Sequence, residues 1–395
     1  MPLERGEFEM KQYLTLKPEQ MTDDAKAFAQ HLCNQYPLAG VEMFGDDVKP
    51  RTLPLFSSQE EKQALVRQLG ELQVKRLHAS YWAYPTAFLT GNRFSELVER
   101  MGGEEEVRAY YGDLTGDHMM ARWTQEYAVA AALEADSYVF HLIDYAPIDG
   151  MWAFSMDKQT ILQAMIAMLQ RFVNSLLSQE LLTENSPVIE LENAGWGLEH
   201  GVQTARDYAC VLEQVYDPFR RLRVGWEVNH LLHAVGKMKD GSVRFFLPPE
   251  EVTSEMRRLE EKYGLEPQKF ALEWLRYNLL HPKLWGKVAA VHLSDCKWKT
   301  SEYFRNGLLA QPWLAEMQKL NNWEAREEYG VKIVLGEYDS HEVLGDGALN
   351  GSDMAVLLAQ LEEKNQGLML LHELKNSVPV EPALQRQLAA LKGEH

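Results

Sequence analysis

Cysteine is scarce in this chain, and so are long apolar runs and basic residues. The three cysteines among 395 residues, Cys33, Cys210 and Cys296, are too few and too widely spaced for a disulfide framework or a CxxC metal site. Residues 1–11 lack the apolar segment of a signal peptide, and no apolar run is long enough to span a bilayer. Lys and Arg number 40 against 58 Asp and Glu, and the formal charge of -18 argues against nucleic acid and anionic membranes as partners. A reducing cytoplasm is the predicted location.

Short apolar or β-branched segments alternate eight times with longer segments of helical spacing. The composition, 46% hydrophobic and 25% charged, is that of a globular protein with a full core. Helical spacing is clearest over residues 156–182, which carry a wide apolar stripe. The predicted strands are 10–16, 40–44, 74–80, 136–144, 187–193, 223–230, 288–295 and 368–374.

This alternation predicts an α/β protein with parallel strands joined by right-handed crossovers. Because no Gly-rich phosphate-binding motif follows the first strand, a closed barrel is favoured over an open doubly wound sheet. We therefore expect a single (β/α)8 TIM barrel domain over residues 1–395. The connections 233–282 and 296–347 are too long for simple crossovers and are predicted to be helical insertions after strands six and seven. Helices are expected at 254–263 and 267–280, and within 313–329.

Histidine and carboxylate side chains stand at the carboxyl ends of most predicted strands, which converge on one site in a parallel barrel. The residues are His78, His141, Glu192, Glu227, His230, His292 and Glu373, joined by Asp339 and His341 in the loop after strand seven. Any one of them is more simply a solvated cap or a core residue, but nine together predict a divalent metal site. Glu190 is an alternative to Glu192, because residues two apart in a strand face the same way.

Other polar residues near the strand ends have structural interpretations. His372 is expected to point away from the barrel interior. Asp295 and Lys297 are expected in a solvated loop, with orientation of His292 or binding of a substrate anion as the alternative. The segment 297–305, with Lys297, Lys299 and Arg305, is predicted to hold the only basic cluster at the catalytic end.

Several segments resemble the strand-end motifs of the xylose isomerase-like TIM barrel superfamily. They are VIELEN at 188–193, EVNH at 227–230, VHLSD at 291–295, DSHEVLGDG at 339–347 and LHE at 371–373, with 40–44, 74–79 and 139–141 similar to its earlier strands. This superfamily contains sugar and sugar-phosphate isomerases and epimerases, and also the endonuclease IV type of abasic-site nuclease. The resemblance covers residues 10–376 outside the two long connections.

The resemblance implies two overlapping ligand sets for Zn, Mn or Mg. The single-metal site of the epimerase branch falls on Glu192, Glu227, His292 and Glu373, where Glu227 replaces the usual Asp. In that branch Glu192 and Glu373 would also act as acid and base, and His230 would contact substrate. The remaining ligands of the nuclease branch's three-metal site match His78, His141, His230, Asp339 and His341.

Three functions follow in order of preference. The first is a metal-dependent isomerase or epimerase that moves a proton next to the carbonyl of a sugar or sugar phosphate. The second is a multi-zinc phosphoesterase similar to endonuclease IV, for which the acidic charge argues against a duplex-DNA substrate. The third is a non-catalytic barrel that binds a metabolite. A small-molecule sugar or sugar-phosphate substrate is the expected partner, and the fold class is compatible with a homo-oligomer.

Overall fold

Eight parallel strands close into a barrel in the computed structural model, which describes residues 10–21, 24–80, 93–141, 143–145, 157–195, 199–247, 251–300 and 339–394. The strands are β1 Lys11–Thr15, β2 Leu38–Phe44, β3 Val74–His78, β4 Ser137–Phe140, β5 Val188–Glu192, β6 Leu222–Glu227, β7 Val288–Leu293 and β8 Met369–His372. Each strand pairs with its neighbours in the sequence, and β8 closes the barrel against β1, with Tyr13 opposite Leu371. The predicted (β/α)8 TIM barrel is confirmed, and its single-domain character stays a prediction.

Strand six ends earlier than predicted. The strand stops at Glu227, and Val228–Leu232 form a short helix, so His230 lies on a helical turn and not on the strand. The Glu227 side chain begins this helix because its Oε1 accepts a hydrogen bond from the Asn229 amide at 2.8 Å. The expectation of a strand through His230 was therefore wrong.

Helices occupy most of the described connections between the strands. They are α1 Ala25–Gln35, α2 Gly45–Val48, α3 Gln59–Glu71, α4 Arg93–Met101, α5 Glu104–Tyr111, α6 Asp117–Ala132, α7 Lys158–Ser178, α8 Ala205–Gln214, α9 Val228–Leu232, α10 Ser254–Tyr263, α11 Pro267–Leu279, α12 Gly351–Glu362 and α13 Val380–Lys392. The predicted helices at 254–263 and 267–280 correspond to α10 and α11. A short antiparallel hairpin, Val235–Lys237 with Val243–Phe245, precedes them. The expected helix within 313–329 lies outside the described residues.

The 21-residue helix α7 bears on the expectation that no apolar run is long enough to span a bilayer. By length and composition it could cross a membrane, although no such run was expected. Half of its apolar window is buried inside the protein, and Ile161, Met165, Met168 and Phe172 are fully covered. This burial is typical of a core helix in a globular protein.

The barrel interior contains a buried ionic layer beneath the strand ends. The Arg76 guanidinium donates two hydrogen bonds to Glu190, at 2.8 and 2.9 Å, and one to Glu42 at 3.0 Å. Its Cζ atom lies 5.5 Å from the Tyr13 ring centroid. A Cβ atom at Gly225 would lie 2.5 Å from the Glu190 carboxylate, so this strand position is restricted to glycine. The layer supports the side chains that lie above it.

Candidate metal centre

The nine predicted residues meet at the carboxyl end of the barrel in three adjacent groups, and all nine are buried. The groups are His78, His141 and Glu192; Glu192, Glu227, His292 and Glu373; and His230, Asp339 and His341. Within each group one potential ligand atom per residue lies within 4.8 Å of the others. Glu192 belongs to the first and the second group, which we call the outer and the central group. The last is the loop group, because two of its residues lie in the loop before α12.

The central group surrounds one nitrogen atom. His292 Nδ1 lies 3.3 Å from Glu373 Oε2, 3.6 Å from Glu192 Oε2 and 3.8 Å from Glu227 Oε2. These residues come from the ends of β5, β6 and β7 and from the position directly after β8. Glu227 takes part although its side chain is one methylene longer than Asp, the residue that the resemblance implies.

Four imidazoles are each oriented by a hydrogen bond or close polar contact on one ring nitrogen. His78 Nδ1 donates to the Ala79 carbonyl at 3.0 Å, and His230 Nδ1 donates to the Asn193 carbonyl at 2.8 Å. His292 Nε2 donates to Glu190 Oε1 at 2.5 Å, and His341 Nδ1 lies 3.1 Å from Ser294 Oγ. Such partners fix the orientation of the ring, as in metal-binding histidines.

The loop group depends on a buried turn after β7. His341 Nε2 lies 2.8 Å from Asp339 Oδ2, and Asn229 donates to Asp339 Oδ1 at 2.7 Å. His341 has φ of 41°, a left-handed conformation that is strained for a residue with a side chain. Such strain persists only where the surrounding contacts hold the residue in place.

Asp295 supplies part of those contacts. Its buried carboxylate accepts backbone N–H groups of Gly345, Gly347, Ala348 and Leu349 at 2.8–3.3 Å. The expectation of a solvated loop was therefore wrong for Asp295. It held for Lys297, which is more than half exposed and pairs with Glu342.

Burial and neighbouring charges shift the pKa values of several residues in the site. Burial, followed by the nearby Glu373 carboxylate, raises the pKa of Glu227 well above its usual range. Burial acts in the same direction on Glu373, but the Lys375 ammonium, 2.7 Å from Oε1, holds the pKa of Glu373 well below its usual range. Burial lowers the pKa of His141 to about 3, so this imidazole is neutral and able to act as a ligand.

The donor set fits divalent cations. Within the described part of the chain, six buried atoms of these groups lack a well-oriented hydrogen bond: His141 Nε2, Glu192 Oε2, Glu227 Oε2, His292 Nδ1, His341 Nε2 and Glu373 Oε2. Buried polar atoms without such bonds are costly, and coordination to a cation would satisfy them. Mixed imidazole and carboxylate donors suit Zn or Mn better than Mg, which prefers oxygen ligands.

Arg76 and Lys375 were not predicted as site residues, and Glu190 was expected only as an alternative to Glu192. Arg76 and Glu190 hold His292 from below, so Glu190 supports the central group and is not one of its members. His233 Nε2 lies 3.8 Å from Asp339 Oδ1. Lys375 contacts Glu373 and Asp339, and is a basic residue at the barrel mouth outside the predicted cluster at 297–305.

His372 lies where the sequence predicted. It is buried and its Nε2 atom lies 3.0 Å from Gln12 Oε1, away from the three groups, while Gln387 of α13 approaches its Nδ1 atom. His372 precedes Glu373 in the sequence but points the other way, because successive side chains of a strand face opposite sides of the sheet.

Comparison with curated protein families and with curated proteins finds no match. Among solved structures, a D-tagatose 3-epimerase-like protein is 13% identical with a TM-score of 0.50, over 97% of this chain and 99% of that one. A 3-keto-D-glucoside 4-epimerase from E. coli is 12% identical with a TM-score of 0.50, over 98% and 100%. Endonuclease IV from Thermus thermophilus is 16% identical with a TM-score of 0.46, over 97% and 99%. At such identities the likeness shows the fold alone, which is the closed eight-stranded barrel described above.

Proposed function

We propose that this protein is a divalent-metal-dependent hydrolase that cleaves a phosphoric ester of a small, sugar-like molecule. The observation that supports it is the presence of three adjacent ligand groups, two of which share Glu192. An isomerase or epimerase that moves a proton next to a carbonyl uses one metal ion, for which the central group supplies all the ligands. Of the five further buried histidine and aspartate residues, only His230 would have a role in that reaction, as a contact to substrate, whereas a site with several cations uses all nine.

Different residues at the site have different roles in this proposal. When bound, divalent cations supply Lewis acidity, which polarises a phosphoryl oxygen and lowers the pKa of a water molecule. Glu192, Glu227, His292 and Glu373 would hold the central cation, and the outer and loop groups would hold one more each. Glu190 keeps His292 in orientation through its Nε2–H bond. The Lys375 ammonium adds positive charge beside Glu373, where a phosphoryl group would carry negative charge.

A small substrate suits the charge of the molecule better than nucleic acid does. The formal charge of -18 opposes the many phosphate contacts that a duplex requires. Two solved structures with this fold are, by their names, an epimerase for a keto-glucoside and a protein similar to a tagatose epimerase. This supports a sugar-like substrate.

A sugar or sugar-phosphate isomerase or epimerase is the second candidate. It is favoured by the position of Glu192 and Glu373, whose Oε2 atoms lie 3.6 and 3.3 Å from the same His292 nitrogen. Two carboxylates so close to one metal position could remove and return a proton on opposite faces of a substrate carbon. His230 would then contact a substrate hydroxyl.

Substitution of Asp339 separates the two candidates. The metal-free protein would be loaded with Zn, Mn or Mg and assayed on a panel of sugar phosphates, for phosphate release and, by NMR, for isomer or epimer formation. Hydrolysis at several cations predicts metal-dependent phosphate release that Asp339→Ala abolishes, while the exposed control Glu213→Gln retains it. Isomer formation that survives Asp339→Ala would instead support the second candidate. Failure of both activities would favour a metabolite-binding barrel.

A further inference from the structure

The mouth of the barrel is divided into two arcs. The three ligand groups come from β3 to β8 and the segments that directly follow them. The ends of β1 and β2, which lie side by side, contribute none of these ligands. They present Lys17, two residues after β1, and Phe44, the last residue of β2.

Phe44 connects this second arc to the ligand groups. Its ring packs against His78 of the outer group in a tilted arrangement, with centroids 4.5 Å apart and an interplanar angle of 35°. The ammonium groups of Lys17 and Lys375 each lie 5.9 Å from the Phe44 centroid. One aromatic ring thus borders a candidate metal ligand and two cations.

The two lysines differ in their partners. Lys375 is bound to Glu373 at 2.7 Å and lies 3.9 Å from Asp339. Lys17 is partly buried, and in the described part of the chain its ammonium has no carboxylate or carbonyl oxygen at ion-pair distance. Burial and then Lys375 lower the pKa of Lys17, while Glu19, Asp47 and Asp339 act in the opposite direction. A partly desolvated ammonium without a direct counter-ion is unfavourable unless an anion comes to it.

We propose that Lys17 and Phe44 form a subsite for a second anionic group of the substrate, a phosphate or a carboxylate, with Phe44 packed against the carbon skeleton that joins this group to the reacting ester. The inference rests on the proposed function only in treating the ligand groups as the place of that ester. It narrows the substrate class to small sugar derivatives with two negative groups. A sugar skeleton presents C–H faces that pack well on an aromatic ring, and an exchangeable anion would complete the ion pair that Lys17 lacks.

Equilibrium binding to the metal-loaded protein tests this subsite without requiring turnover. The probes are fructose phosphate, fructose bisphosphate and phosphogluconate, titrated into the wild type, Lys17→Gln, Lys17→Arg and the control Lys297→Gln. Lys297 lies near the same mouth but is more than half exposed and pairs with Glu342. Metal content is measured for every variant, so that loss of cations is separated from loss of the subsite.

We expect the wild type to bind at least one doubly anionic probe more tightly than fructose phosphate. Lys17→Gln should weaken binding of that probe by roughly tenfold or more, which is the usual effect of losing one charged hydrogen bond. The affinity for fructose phosphate should change by no more than about twofold. Lys17→Arg should restore most of the affinity, and Lys297→Gln should change nothing. Preference for the bisphosphate or for phosphogluconate distinguishes a phosphate from a carboxylate subsite. Equal binding of all probes by the wild type, or equal loss for all probes in Lys17→Gln, would overturn the proposal. Lys17-dependent binding without phosphate release would retain the subsite and reject only the hydrolase.

Discussion

Glu190 Oε1 and His292 Nε2 lie 2.5 Å apart inside the barrel, directly beneath the central ligand group. Arg76 fixes Glu190 by two further hydrogen bonds, so three fully buried side chains form a continuous chain to His292 Nδ1. A carboxylate on the far nitrogen of a metal-binding histidine both orients the ring and increases its basicity. The ionic layer of the barrel and the candidate metal centre are therefore one unit.

The first prediction concerns this unit. Glu190→Gln should destabilise the fold by about 3–5 kcal/mol, because it leaves the buried Arg76 guanidinium without one of its two carboxylates. It should also weaken binding of the central cation by about 10–100-fold. Denaturant unfolding and metal titration measure the two effects, with the exposed Glu213→Gln as control, expected within about 0.5 kcal/mol of the wild type. Wild-type stability in Glu190→Gln would show that the ion pair contributes nothing net.

The stability of the protein at acid pH should depend on the Glu190 carboxylate. Burial acts to raise the pKa of Glu190, but Arg76 and then His292 lower it from 4.5 to about 2. A depressed carboxylate pKa stabilises the folded state above the unfolded value, and this contribution is lost as pH falls from about 4.5 to about 2. In metal-free protein, the slope of unfolding free energy against pH in this window should therefore be smaller in Glu190→Gln than in the wild type. An unchanged slope would assign the acid sensitivity to other groups.

Removal of metal should lower the thermal stability. The three buried carboxylates of the central group, Glu192, Glu227 and Glu373, repel each other without cations. A ligand that binds only the folded state adds about 2.7 kcal/mol of stability at a hundredfold excess over Kd. Chelation should therefore lower Tm, and Glu192→Ala should remove most of the metal-dependent part of Tm, because Glu192 serves two groups. Equal melting of chelated and metal-loaded wild type would exclude a metal site here.

The barrel and its strand-end residues could be predicted because periodicity and parallel topology place them without knowledge of any contact. The end of β6 could not, since Glu-Val-Asn-His is compatible with a strand until the Glu227 carboxylate caps the helix that holds His230. Lys17 and Lys375 were missed for a different reason. Basic residues after strands are typical of solvated loops, and only closure of β8 against β1 brings these two to the same aromatic ring.

Asp295 provides a prediction about the ligand loop. Asp295→Ala removes the acceptor of four backbone N–H groups between Gly345 and Leu349, so that segment should loosen and the strained His341 should lose its fixed position. We expect a loss of about 1–3 kcal/mol in stability, together with weaker metal binding by the loop group. Hydrogen exchange should show faster exchange confined to residues 339–349. Lys297→Gln, in the same turn but exposed, should leave both properties unchanged.

Counting cations per chain in matched variants tests the division of the site into three groups. If each group holds one cation, the metal-loaded wild type should contain about three, and Asp339→Ala or His341→Ala should lose about one from the loop group. His141→Ala should lose about one from the outer group, and Glu192→Ala should lose more than either, because its carboxylate belongs to two groups. The control is His31→Ala, whose half-exposed imidazole pairs with Glu381 far from the barrel mouth. Elemental analysis after gel filtration in metal-free buffer gives the count. A single cation in the wild type that persists in Asp339→Ala and disappears in Glu192→Ala would contradict the three-cation site, and would leave the central group as the metal centre of an isomerase or epimerase.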